Sequence, residues 1–145
     1  MLAAMVRTPF PVEVRPIAIR NPLSPEVREP KSGAYMRAAS LPVDAPQHLH
    51  QAIVAFGTDQ LLLETALLPT SVPHHPKYLQ MASLDHSIWF HRPCRADEWL
   101  LHAMESPSLA HGRGFALGRV FDPRGNLVAS TAQDGLLRQV DRSRL

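Results

Sequence analysis

The sequence predicts an α+β domain in which an antiparallel sheet packs against one long helix. Two observations carry this. Leu49, Ile53 and Phe56 recur at spacings of four and three with Ala52 and Ala55 beside them, which is the apolar stripe of an amphipathic helix. From Tyr78 onward the period changes, and four extended segments follow one another through short turns rich in Pro and Gly. A chain of 145 residues suits a single compact core.

Eight of the fourteen prolines fall in the first 46 residues, and proline denies a strand its backbone donor. Residues 1–32 therefore read as a Pro-rich linker with one edge strand, expected over 12–19, where Val12, Val14 and Ile17 surround Glu13 and Arg15. The domain proper is expected over 33–140. Its first strand lies at 34–40, after a Pro/Lys/Ser/Gly turn. Asp44, ahead of Ala45 and Pro46, is the expected N-cap of a helix over 46–58. Residues 61–68 continue that helix, bent or restarted near 57–59, until Pro69 and a loop at 70–77 end it. Strands are expected at 79–92, 98–106, 114–121 and 127–140, with turns at 93–97, 107–112 and 122–125. Asp122-Pro123-Arg124-Gly125 places Pro and Gly where a tight reversal wants them. Leu84, Ile88 and Phe90 alternate with the equally apolar Trp89, so both faces of the sheet call for cover. The helix covers one; a partner domain or subunit is expected on the other. Residues 141–145 form a polar tail.

Composition narrows the function. A hydrophobic share of 45% with 19% charged residues excludes a disordered chain, and no apolar run approaches the ~18 residues that span a bilayer. A net charge of +2 with dispersed arginines does not form a nucleic-acid patch. The single cysteine, Cys94, permits no internal disulfide and no cysteine-based zinc cluster, and residues 1–6 lack the apolar core of a secretory signal. A reducing compartment is expected. The pairs His48/His50, His74/His75 and His86/His91 invite a metal, but their spacings do not converge in regular elements, and surface or packing roles are expected instead. Gly112-Arg113-Gly114 leads into a strand rather than a helix, so it is not a phosphate loop. Ser106 and Ser108 flank Pro107 in a turn without a Gly-x-Ser-x-Gly elbow. Asp85 beside His86 matches an acid and base pair only superficially, since adjacent strand residues face apart.

The segment Ala82-Ser83-Leu84-Asp85-His86-Ser87-Ile88-Trp89-Phe90-His91-Arg92-Pro93 carries more polar cargo than a plain core strand. Read with Glu98-Trp99-Leu100-Leu101, Glu105-Ser106-Pro107-Ser108, Arg113-Gly114, Arg119, Gly125-x-Leu127-Val128-Ala129-Ser130 and Ala132-Gln133-Asp134-Gly135, it resembles the carboxy-terminal half of type II acyl-CoA thioesterases, bacterial and peroxisomal, from about Pro11 to Val140. The resemblance implies a hotdog fold, one unit of a normally double-hotdog protein, and hydrolysis of fatty acyl-CoA without a cofactor. It also implies a catalytic trio: Asp59 after Ala55-Phe56-Gly57-Thr58, Ser83 ahead of Asp85-His86-Ser87, and Gln133 in the last strand. Read as residue types, Asp59 also fits a cap of a restarting helix and Gln133 an ordinary strand polar residue. The chemistry suits thioester hydrolysis. A carboxylate can orient water and take its proton, while Ser and Gln both donate and accept. A chain resembling only one hotdog is expected to pair with another, as a homo-oligomer; the rival reading is a non-catalytic fragment or isoform that binds itself or a full-length relative. Ser143-Arg144-Leu145 resembles the tripeptide read by the peroxisomal import receptor, so a peroxisomal location is expected, with a cytoplasmic one as the alternative.

Overall fold

The computed structural model describes residues 10–140; the tail at 141–145, and with it the expected import signal, lies outside them. The elements are β1 (Val12–Pro16), β2 (Lys31–Ala38), α1 (Gln47–Thr58), a 3-10 helix η1 (Leu63–Leu67), β3 (Leu79–Ser83), β4 (Ser87–Phe90), β5 (Leu100–Ala110), β6 (Arg113–Phe121) and β7 (Leu127–Gln139). All strand pairings are antiparallel, in the order β1-β2-β5-β6-β7, and β3 and β4 share the outer edge of β7. One curled sheet against one helix is the hotdog arrangement. The linker's strand pairs with β2 and so belongs to the sheet, and the division expected at 32/33 falls inside β2.

Burial alternates along the strands. On β5 Leu100, His102, Met104 and Ser106 are buried while Leu101, Ala103 and Glu105 are not, and β6 follows the same rule, as does β7 from Ala129 to Leu137. The inner face packs on Val54 of α1 through Val12, Met36, Leu100, Val120 and Val128. Among the described residues only that face is covered by a helix; Tyr35 on the other is 45% exposed.

Several boundaries differ from expectation, each for a local reason. Asp44 does not cap α1: Pro46 is the extended N-cap residue and makes no side-chain bond, so Asp44 stands two residues too early to reach the first-turn amides. The helix does not run on as an α-helix, because Leu61 adopts φ 65 and the chain re-forms only as η1. β5 continues through Pro107 to Ala110, where a register shift between Glu105 and Ser108 accommodates a residue without a donor. The reversal follows at His111 and Gly112, both with positive φ, the geometry of a two-residue hairpin.

The segment expected as one strand at 79–92 is two strands. Ser83 pairs with Gly135 and Ser87 with Ala132, so four steps on one strand answer three on β7. The extra residue is a β-bulge: the amides of Leu84 and Asp85 both donate to the Asp134 carbonyl, at 2.9 and 3.3 Å. Asp85 Oδ1 locks it by accepting the Asp134 amide at 2.8 Å.

η1 reaches the sheet through a gap in its side chains. Gly114 and Gly135 face each other across β6 and β7, and a Cβ on Gly135 would stand 2.2 Å from Cδ2 and 2.9 Å from Cγ of the buried Leu63. The end of Leu63 thus occupies the space a side chain at 135 would need. Gly135→Ala is expected to destabilise the fold by about 1–3 kcal/mol, the usual cost of overpacking, seen as a lower urea midpoint with an unchanged slope. Combined with Leu63→Ala, its cost should shrink; full additivity would contradict this packing.

Candidate functional site

Three elements meet at one end of α1. Asp59 is the helix C-cap residue, Ser83 ends β3, and Gln133 lies on the inner face of β7. The three expected site residues are in mutual contact. Gln133 Nε2 donates to Asp59 Oδ1 at 2.8 Å and to Ser83 Oγ at 2.5 Å, and Ser83 Oγ donates to the same Oδ1 at 3.3 Å. The bonds converge on Oδ1, and Oδ2 takes none of them. Gln133 is 0% exposed whereas Asp59 and Ser83 are exposed, so a buried amide stands behind two oxygens that solvent reaches. Asp59 also stands at the negative end of the α1 dipole, where a carboxylate is disfavoured. Its helix alone does not account for its position; the donors on Ser83 and Gln133 do.

The bulge makes this possible. In an unbroken strand residues 83 and 86 face apart, but the inserted residue turns both inward and leaves Leu84 and Asp85 exposed. His86 is therefore not a surface or plain packing histidine. Its Nδ1 lies 2.9 Å from Gln133 Oε1 and its Nε2 3.1 Å from Thr58 Oγ1, which also donates to the Ala55 carbonyl at 3.0 Å. Sequence reasoning missed both His86 and Thr58. Their signal was adjacency: Thr58 precedes Asp59, and His86 sits inside the same string as Ser83.

Behind this layer, His102 Nε2 lies 3.5 Å from Thr131 Oγ1 across Gly118, where a Cβ would stand 2.2 Å from the ring nitrogen. His102 is 1% exposed; burial first, and the neighbouring His86 second, push its pKa down to about 4.

The remaining candidates lie elsewhere. His50 is buried and its Nδ1 accepts the Ala96 amide at 3.0 Å, His91 Nε2 meets Ser130 Oγ at 2.9 Å on the outer face, and His74 faces Glu64 at 3.6 Å. Asp85 bonds the Asp134 amide rather than His86. Among the described residues no three His, Cys, Asp or Glu side chains gather as a metal site. Burial pushes the Cys94 thiol up, against a weaker opposing bond from Gln47, which suits an unreactive thiol. No helix of the described residues is long and apolar enough to cross a membrane. A cavity of about 340 Å³ lies between the linker and η1, lined by Ile19, Arg20, Leu61, Glu64, Leu67 and Leu68 among others, but Asp59, Ser83 and Gln133 do not line it.

Comparison with known proteins adds the family context. A family model described as the acyl-CoA thioesterase C-terminal domain matches residues 4–137. Human acyl-coenzyme A thioesterase 8 is 39% identical over 139 residues, covering 93% of this chain and 43% of that protein. Acyl-CoA thioesterase 2 of Haemophilus influenzae is 36% identical over 129 residues, covering 88% and 44%. The crystal structure of an acyl-CoA thioesterase II from Mycobacterium marinum superposes with a TM-score of 0.73 at 36% identity, over 90% of this chain and 50% of that one. The chain thus spans about half the length of the curated relatives it matches.

Burial of His102 makes stability pH-dependent. Its folded value near 4 lies below the ordinary 6.5, so the unfolded chain takes up the proton first as pH falls. The contribution is complete above about 6.5, is lost as pH falls towards 4, and is constant below. Between pH 7 and pH 5 the expected loss is about 2 kcal/mol. Urea titrations at both pH values should show His102→Gln losing less than the wild type; equal losses would contradict the assignment.

Proposed function

Because the chain belongs to the acyl-CoA thioesterase family, we propose that it hydrolyses fatty acyl-CoA to free fatty acid and CoA, with Asp59, Ser83 and Gln133 holding the water that attacks the thioester. The observation that carries this reading is the convergence of Gln133 Nε2 and Ser83 Oγ on Asp59 Oδ1 from separate elements, beside an unencumbered Oδ2. A water on Oδ2 is held by a group able to take its proton as its oxygen bonds the carbonyl carbon. The carbon–sulfur bond then breaks, and the proton passes to the departing CoA thiolate. Both amide hydrogens of Gln133 are engaged, so in the resting site it sets the spacing of Asp59 and Ser83. The serine–aspartate bond is long at 3.3 Å, which makes the Ser83 hydroxyl the donor most readily redirected to the developing oxyanion.

A second reading has its own support, since the chain covers only 43% of its human relative: a hotdog unit that binds itself or a longer relative without catalysis. With long-chain acyl-CoA and a thiol-release assay, Asp59→Asn is expected to lower kcat by about 10²-fold or more while KM changes little, as for a lost general base. Ser83→Ala and Gln133→Ala should act in the same direction, less severely. Unchanged turnover in Asp59→Asn would remove the catalytic assignment.

We further propose that the chain self-associates. Besides Tyr35, the β3/β4 edge exposes Leu84 at 52% and Trp89 at 54%, apolar surface of the kind that interfaces cover. Light scattering at micromolar concentration should give at least twice the 16.1 kDa chain mass; a stable monomer would contradict association, and an inactive monomer would favour the second reading.

A further inference from the structure

The buried amide of Gln133 must present its nitrogen, and not its oxygen, to Asp59, and the polar groups on its far side determine whether it does. We propose that His86 is a positioning residue: its Nδ1–H donates to Gln133 Oε1 and thereby holds the amide with its NH₂ turned towards Asp59 and Ser83. The inference rests on the thioesterase reading for its kinetic meaning and on geometry alone for the orientation.

A side-chain amide can turn end for end in the same volume. Turned over here, it would set Oε1 against Asp59 Oδ1, two acceptors at 2.8 Å, and would offer its hydrogens to His86. An ionised Asp59 and an Nδ1–H on His86 therefore select the same orientation from opposite ends. Gln133 is fully buried, so an Oε1 without a donor is costly, enough to populate rotated amides that no longer brace Asp59.

Thr58 accommodates an Nδ1 proton whatever the charge of the ring. Its hydroxyl is 3.1 Å from His86 Nε2 and 3.0 Å from the Ala55 carbonyl. With a neutral imidazole protonated at Nδ1, Thr58 donates to Nε2; with an imidazolium, it accepts from Nε2–H and donates to Ala55 instead. In both states Nδ1–H faces Gln133. The opposite neutral tautomer would face it with a lone pair.

Two conservative replacements separate orientation from packing. The amide nitrogen of an asparagine falls near the Nδ1 position of a histidine, whereas that of a glutamine reaches the Nε2 position. In acyl-CoA hydrolysis by the full chain, His86→Asn is expected to retain kcat within about threefold, while His86→Gln lowers it about tenfold or more with KM nearly unchanged, the pattern of an effect confined to the transition state. Equal losses in the two variants would overturn the proposal, because a ring that only filled space would be missed equally. An independent readout is ¹⁵N NMR of the wild-type imidazole, which should show hydrogen on Nδ1 both below and above its titration; a neutral Nε2–H tautomer would overturn the proposal. Should the wild-type chain hydrolyse no acyl-CoA, the thioesterase reading fails on that result, and the tautomer alone decides whether His86 orients Gln133.

Discussion

One inserted residue governs the site. Between Ser83 and Ser87 the edge strand spends four steps against three on β7, and the phase of every side chain beyond the insertion is reversed. Without it, Ser83 facing Asp59 would require His86 to face solvent, and Ile88 and Phe90 could not join the core on which Val54 packs. The bulge is held by backbone and side chain together: two amides share the Asp134 carbonyl, Asp85 accepts the Asp134 amide, and the Asp134 carboxylate pairs with Arg113. Asp85 is thus structural, although it sits between two residues of the site.

The other half of the site depends on how closely η1 can approach the sheet. Gly114 and Gly135 remove the side chains that would stand between Leu63, Ala66 and the strands. The chain from Asp59 to Leu63 is short, and it includes Leu61 in the left-handed region, a conformation that costs a non-glycine residue on the order of 1 kcal/mol or more. Seating η1 deeply therefore fixes where α1 stops and where Asp59 is delivered. Glycine pairs in strands ordinarily weaken a sheet. Here they admit the packing of Leu63 and Ala66, which offsets that loss.

Much of this was legible in the sequence, and the failures share a cause. The stripe of Leu49, Ile53 and Phe56 located α1, although the face the helix buries runs through His50, Val54 and Gly57 and leaves Phe56 45% exposed, and Asp122 through Gly125 located a reversal, because both signals are local. The family resemblance singled out Asp59, Ser83 and Gln133, which meet in space. Periodicity could not register the bulge, since a count by twos assumes the very regularity that an inserted residue breaks; the segment at 79–92 therefore read as one strand and His86 as unconnected. Pro107 misled similarly. It looks like a turn until a register shift supplies a place in β5 that asks for no amide hydrogen. Thr58 was signalled only by its place before Asp59, because a helix-terminal threonine carries no signature of what lies across from it.

The polar groups around Gln133 form an ordered electrostatic sequence rather than a cluster. His102 is held neutral near physiological pH by its burial and by its neighbour, so it places no cation beside His86. Asp59 places a carboxylate at the exposed end, in a position its own helix dipole opposes. Between them lies an amide whose dipole aligns with its oxygen towards His86 and its hydrogens towards Asp59 and Ser83. Asp59 and, on the proposal above, His86 favour the same orientation of that amide from opposite ends. On the proposed reading, such an arrangement keeps the carboxylate fixed while only the Ser83 hydroxyl is redirected as charge develops at the carbonyl, which is the physical advantage of burying an amide, rather than a water, behind an exposed carboxylate.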